Sequence, residues 1–314
     1  HGKVWSQFGH IRKRNRRLDS SNGVVILMEK KSEMKIYFKL LILLSIATFF
    51  TLSCSKFQRT SNVMGLGSSA DTGGHKHVPP SSTRELHVQI EPQQRYVFSV
   101  DPRTVDSQAD TWIDNEVALL DTHRPIKGYL VIFLPGFRSN CQTTGVTGFY
   151  ADRGYHVICP EYPNDFVIGT PDCSGNVDCA EQKRHEILEG VDHNPNINIS
   201  FANSVEGRIT RFLQYLQTHN PEGDWGYYLE DGRPRWNKII VTGHSQGSAH
   251  AGIAGMFRSV HAVIGTSGPP DSPSGQPARW YSKPWMTDKS HVFYFAHEQD
   301  PNFSKFTANW TAMG

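Results

Sequence analysis

One stretch constrains this chain more than any other: Lys238-Ile239-Ile240-Val241-Thr242-Gly243-His244-Ser245-Gln246-Gly247-Ser248-Ala249-His250-Ala251-Gly252-Ile253-Ala254-Gly255-Met256. After Lys238 its residues are apolar or β-branched, as in a buried strand, and its second half is small and compatible with a helix packed closely on a sheet. The pattern is strand, sharp turn, helix. Gly243-His244-Ser245-Gln246-Gly247 occupies the bend.

A serine in such a G-x-S-x-G turn stands on a strained backbone that lifts its hydroxyl above the sheet edge. The residues two before and two after must be small, because neighbouring backbone passes close to them. The helix that follows aims its first amides at the place where negative charge develops in acyl transfer. Ser245 is therefore the candidate nucleophile, and the Gln246 amide a candidate oxyanion donor.

The chain has 314 residues, enough for one α/β domain with an extension, and its 38% hydrophobic content suits a globular core. Its formal net charge is +2. Much of the basic excess lies in Arg12-Lys13-Arg14-Asn15-Arg16-Arg17 and Lys30-Lys31, outside the expected domain, so a nucleic-acid partner is not indicated.

The first residue is His1, and Met28 and Met34 are better candidate starts. From Met34 a charged segment precedes the apolar block Leu40 to Phe50 and then Thr51-Leu52-Ser53-Cys54. This order resembles a bacterial lipoprotein signal peptide, with Thr51 standing where leucine is commonest. The resemblance implies cleavage and lipidation at Cys54, export and membrane tethering, and, with Ser55 next, the outer membrane or periplasmic face. An uncleaved anchor helix over 36–52 is the alternative. Residues 1–33 then form an upstream extension, 34–54 the signal segment and 55–84 a Ser/Gly/Thr-rich flexible linker.

Four cysteines remain. Turn residues between Cys173 and Cys179 favour a disulfide closing that small loop, while Cys159 reads as a free apolar filler in a strand. No C-x-x-C and no paired histidine spacing accompanies them, so no metal site and no cofactor is expected.

From residue 85 the texture is that of a folded domain running to 314. Leu86 to Ile90 and Arg95 to Val100 alternate like half-buried strands, and Asn115 to Leu120 adds an edge strand. Gly128 to Leu134 is a continuous apolar run, as in a central parallel strand, and ends in Pro135-Gly136-Phe137. A crossover helix over 145–153 and a strand over 154–160 follow. Residues 161–200 are mostly polar, with a helix candidate at 180–188. Asn203 with Glu206 gives a capping-box signal for an amphipathic helix over 204–218. Further strands fall at 260–266 and 291–296, the second leading into His297-Glu298-Gln299-Asp300-Pro301.

A hydrophobic strand ending in Pro-Gly, a helix, the Gly154-Tyr155-His156-Val157-Ile158 strand, a later helix and Gly-His-Ser-Gln-Gly together resemble the α/β-hydrolase superfamily. Tyr162-Pro163-Asn164-Asp165 and Asn203-Ser204-Val205-Glu206-Gly207-Arg208 are similar to a bacterial branch of it. The resemblance covers residues from about 86 to 314. It implies a three-layer α/β sandwich with a mostly parallel central sheet, and a lid-like role for 161–200. It points to Asp300 as the acid that orients the catalytic histidine, with Asp271 and Glu298 as alternatives. It also makes Phe137 the second oxyanion donor. Triad order in this fold is serine, acid, histidine, and no histidine follows Asp300. The expectation is therefore that the last strand and the histidine loop are missing and that this chain by itself is nearly inactive. His244, His250, His291 and His297 are not expected to act as the base.

These readings converge on an exported, membrane-tethered serine hydrolase acting on a small-molecule or lipid carboxylic ester. A serine peptidase or amidase would use the same parts. A surface binding protein that keeps the scaffold without catalysis is the rival from another class.

Overall fold

A computed structural model describes residues 84–314 apart from residue 90, residues 111–113, residues 143–144, residues 170–172 and residue 174. The upstream extension, the signal segment with Cys54 and nearly all of the expected linker lie outside the described residues.

Seven strands form one sheet. They are β1 (Arg95–Val100), β2 (Glu116–Asp121), β3 (Leu130–Leu134), β4 (His156–Cys159), β5 (Ile239–His244), β6 (Ala262–Thr266) and β7 (Val292–Phe295). Their spatial order is β1-β2-β4-β3-β5-β6-β7. β1 and β2 are antiparallel to each other, and β2 is antiparallel to β4. The remaining neighbours all pair in parallel. Parallel strands need crossovers, and four helices supply most of them: α1 (Val146–Ala151), α2 (Cys179–Glu189), α3 (Val205–His219) and α4 (Gln246–Phe257); α5 (Phe303–Met313) follows β7. α2 to α5 bury their apolar sides on one face of the sheet, and α1 covers the other.

The apolar runs behave as their composition requires. All five residues of β3 and all four of β4 are buried, and α3 buries Val205, Ile209, Phe212, Leu213 and Leu216 at helical spacing. Each such side chain contributes about 1.5–3 kcal/mol relative to exposure. α4 is buried over almost its whole length, and Ala249, Ala251 and Ala254 keep it thin enough to lie against the sheet. At the far edge, β7 leaves Phe293 and Phe295 partly exposed beside Ile264 and Thr266. No helix among the described residues is long and apolar enough to cross a membrane.

Four local expectations are corrected. Residues 84–89 form no strand, and the Gln89 amide instead donates to the Glu222 carbonyl. β2 is internal rather than an edge, because β1 lies outside it. The N-cap of α3 is Ser204, whose hydroxyl accepts the Gly207 amide at 3.0 Å. Asn203 is drawn away into a polar cluster: it exchanges hydrogen bonds with Asp110 and accepts from Arg208. Finally, Cys159 is not free but bonded to Cys141.

Of the segment 161–200, α2 and the residues after it are tightly built into the helical layer. Lys183, Arg184, Glu186, Ile187 and Leu188 of α2 are all essentially inaccessible. The Glu186 carboxylate satisfies three backbone amides, those of His193, Asn194 and Ile199, each at 3.0 Å. A charge-assisted network of this kind orders a polar loop that has little apolar surface to bury. His156 begins β4 with no exposure. Its Nε2–H donates to the Gly223 carbonyl and its Nδ1 accepts the Tyr228 hydroxyl, which fixes the tautomer. Burial pushes its pKa down to about 4, so it is neutral.

Arg208, near the start of α3, reaches the fully buried Glu116 at 3.5 Å. That contact is long, Glu116 Oε2 has no partner among the described residues, and Glu161 adds like charge. Burial therefore dominates, and the Glu116 carboxyl is pushed up to about 8. A carboxyl with a raised folded-state pKa holds its proton while the unfolded chain has released it. Its contribution to stability is thus full below pH about 4.5 and is lost as pH rises towards 8. Glu116→Gln should flatten this fall. Between pH 5 and pH 9 the variant should gain on the wild type by on the order of 4 kcal/mol, measured by denaturant unfolding across pH.

Candidate functional site

The site lies where β3, β5, β6 and β7 end. β5 runs to His244, α4 begins at Gln246, and Ser245 between them has φ 53° and ψ −116°. A non-glycine residue with positive φ is strained and is held there only by its surroundings. Here the Ser245 amide donates to the Thr266 carbonyl at 2.9 Å, and the Ser248 hydroxyl donates to the Ser245 carbonyl at 2.6 Å. The flanking glycines are sterically compelled. A Cβ on Gly243 would lie 2.2 Å from the Gly247 carbonyl oxygen, and one on Gly247 would lie 2.0 Å from the Leu134 carbonyl oxygen. The Ser245 side chain is half-buried and thus reachable.

The loop that leaves β3 presses against this turn: a Cβ on Gly136 would sit 3.2 Å from that of Ser245. The loop is braced from the segment after β4. The Tyr162 hydroxyl donates to the Pro135 carbonyl at 2.6 Å. The Asn164 Nδ2 donates to the carbonyls of Gly136 and Ser139, both at 2.9 Å, and the Arg138 amide donates to the Asn164 carbonyl at 3.0 Å. Arg138 itself takes a left-handed φ of 53°. Among the described residues the amides of Phe137 and Gln246 have no hydrogen-bond acceptor. They are two free donors on elements that meet at Ser245. The sequence contained Tyr162 and Asn164 only as family texture. Their bracing role was hidden because their acceptors are carbonyls some 25 to 28 residues away.

The other expected positions divide clearly. In the sheet His244 pairs with Thr266, and Thr266 with Phe295, so Ser245 and the turn after β7 leave at the same level. Two strand spacings, about 10 Å, separate these backbones. Asp300, half-buried in that turn, accepts the Asn302 amide at 2.9 Å. Glu298 is exposed. Asp271 is committed elsewhere. Arg184 binds both of its oxygens at 2.7 and 2.6 Å, and the Trp280 indole donates to one of them at 3.1 Å. Arg184 also donates to the Gln246 carbonyl at 3.1 Å, tying α2 to the first residue of α4.

No histidine among the described residues is hydrogen-bonded to Ser245 or Asp300. His244 is exposed, and His250 is buried with both ring nitrogens unpartnered. Burial, with Arg184 nearby, holds His250 well below the ordinary histidine range. His291 bonds the His261 carbonyl, and His297 Nδ1 accepts the Gln299 amide. Two disulfides complete the surroundings. Cys173 is bonded to Cys179 at the start of α2, and Cys141 to Cys159 joins the loop after β3 to the end of β4.

Strand order, helix placement, the strained serine turn and an acidic turn after β7 together define the α/β-hydrolase fold. No family model matches the sequence, and no curated protein does. Among solved structures, the chain is similar to the S-formylglutathione hydrolase FrmB of Staphylococcus aureus, at 13% identity over 57% of this chain, with a TM-score of 0.32. It spans 59% of the length of that enzyme. An S-formylglutathione hydrolase from Agrobacterium tumefaciens matches 72% of this chain and 83% of its own, at 13% identity and a TM-score of 0.36. Similarity this loose adds nothing to what the topology and site geometry establish.

The buried Arg184–Asp271 pair generates a test. Removing one partner leaves an uncompensated charge, which typically costs about 3–5 kcal/mol. Arg184→Met should therefore lower unfolding stability by about that amount. Arg184→Met combined with Asp271→Leu should recover most of it, as read by urea denaturation.

Proposed function

We propose that this chain carries the nucleophile and oxyanion hole of a serine hydrolase that cleaves carboxylic esters of small molecules or lipids. The observation that supports this best is Ser245 itself. A serine held at positive φ between two glycines that admit no side chain, on elements that also carry two amides with no acceptor, is a costly arrangement with little structural purpose. In this mechanism Ser245 Oγ attacks the ester carbonyl. The Gln246 and Phe137 amides stabilise the oxyanion of the tetrahedral intermediate, whose collapse expels the alcohol with the proton taken from Ser245 and leaves an acyl-enzyme that water then hydrolyses. Asp300 orients the histidine that acts as general base.

The protein as proposed is exported and tethered to a membrane through lipidated Cys54, facing the periplasm or the outer membrane. The charged and apolar run ahead of Cys54 supports this, as do two disulfides, which belong to oxidising compartments.

The nucleophile is tested with a fluorophosphonate probe on the protein expressed from its full natural coding region. Labelling should appear in the wild type and vanish in Ser245→Ala. A folded, unlabelled wild type would end the hydrolase reading and favour a binding protein on the same scaffold. The tether is tested separately by metabolic labelling with palmitate: incorporation should be lost, and the protein released from membranes, in Cys54→Ser.

A further inference from the structure

Away from Ser245, the end of α2 gathers two histidines and a glutamate. His185 and Glu189 stand one turn apart. Gly190 ends the helix with φ 70°, and the chain folds back so that His193 returns over the last turn. Glycine is required there, since a Cβ would fall 2.4 Å from the Phe201 Cα. One ligand-type atom from each residue lies within 4.8 Å of the others. His193 Nε2 is 2.8 Å and His185 Nε2 is 3.3 Å from Glu189 Oε1. Donors around a tetrahedral zinc, with bonds of about 2.0–2.1 Å, stand about 3.3 Å apart.

We propose that His185, Glu189 and His193 bind one divalent transition-metal ion, with zinc as the ion that two imidazoles and a carboxylate suit best. The carboxylate is already oriented for this. Arg258 Nη2 holds Glu189 Oε2 at 2.8 Å, leaving Oε1 to face the imidazoles, and Arg258 is in turn fixed by Glu206 at 2.8 Å. Outer partners of this kind set the direction of a metal-ligating carboxylate. Two carboxylates against one guanidinium leave the cluster one negative charge to offer a cation.

Without metal the same atoms form a hydrogen-bonded network. The rings of His185 and His193 stack at 4.0 Å and 8°, and His185 lies on Phe257 at 3.6 Å and 4°. A metal cannot lie in the plane of two parallel rings at once. Binding therefore requires His193, which is on the loop, to turn out of the stack while His185 stays wedged against Phe257. The site is not catalytic. Phe257 ends α4, eleven residues beyond Gln246 at its start, which places it about 16 Å away along the helix axis. The ion would join α2 to its following loop and, through Arg258 and Glu206, to the layer formed by α3 and α4.

The spacing His-x3-Glu-x3-His contains no cysteine, so the cysteine pattern gives no sign of it. The experiment is calorimetric titration of zinc chloride into the metal-stripped full chain, beside His193→Ala and His193→Gln. His193 is partly exposed on a loop, so both variants should fold. The wild type should bind one equivalent that both variants lose or bind at least about tenfold more weakly. Zinc should raise the wild-type Tm by more than it raises theirs. Cobalt should give the visible absorption of a low-symmetry site in the wild type alone. Equal zinc binding and equal Tm shifts in all three proteins would overturn the proposal, since binding at other histidines would survive these substitutions.

Discussion

The close approach of two backbones governs the rest of this structure: the carbonyls of Leu134 and Pro135, at the end of β3, lie where a side chain on Gly247 would be. Because nothing intervenes, the first turn of α4 sits directly against the loop leaving β3. That contact sets the loop carrying Phe137 beside the turn at Ser245, whose backbone is held at positive φ. Bulk introduced at Gly243 or Gly247 would separate strand from helix and dissolve the arrangement, whatever the identity of the serine. The geometry of the site is thus a packing constraint before it is a chemical one.

Around this contact the protein uses buried charge as scaffolding. Arg184 spans from α2 to Asp271 and to the Gln246 carbonyl, so the first turn of α4 is held by α2 as well as by the β3 loop. Glu186, two residues on, gathers three amides of a loop that has few apolar residues to anchor it. Interactions of this type contribute little net stability compared with a well-packed apolar core, but they are strongly directional. They hold a polar segment in one arrangement, as a helix at the site's flank requires.

The parts of this fold that were legible in the sequence are those governed by local rules. Continuous apolar runs gave β3, β4 and β5, helical spacing gave α3, and the glycine pattern gave the turn at Ser245. The parts that were not legible depend on distant partners. Asn203 looks like a helix cap beside Glu206, but Asp110 and Arg208 claim its side chain and Ser204 takes the cap. Cys159 looks like a filler because nothing local marks Cys141, eighteen residues earlier, as its partner. Asp271 and Asp300 are equivalent by composition. Nothing local shows that Arg184, from a separate helix, binds Asp271. For Tyr162 and Asn164 the sequence offered a signature without a reason, and the reason is the carbonyls they hold.

The bond between Cys141 and Cys159 lies just past the braced loop, which starts at Pro135 and carries Phe137. The loop is therefore gripped by hydrogen bonds from Tyr162 and Asn164 and by one covalent link to the end of β4. Of these, only the link responds to electrons. A sample produced in a reducing cytosol would carry two thiols there and a loop held by hydrogen bonds alone, so the redox history of a preparation becomes a variable in any activity measured from it.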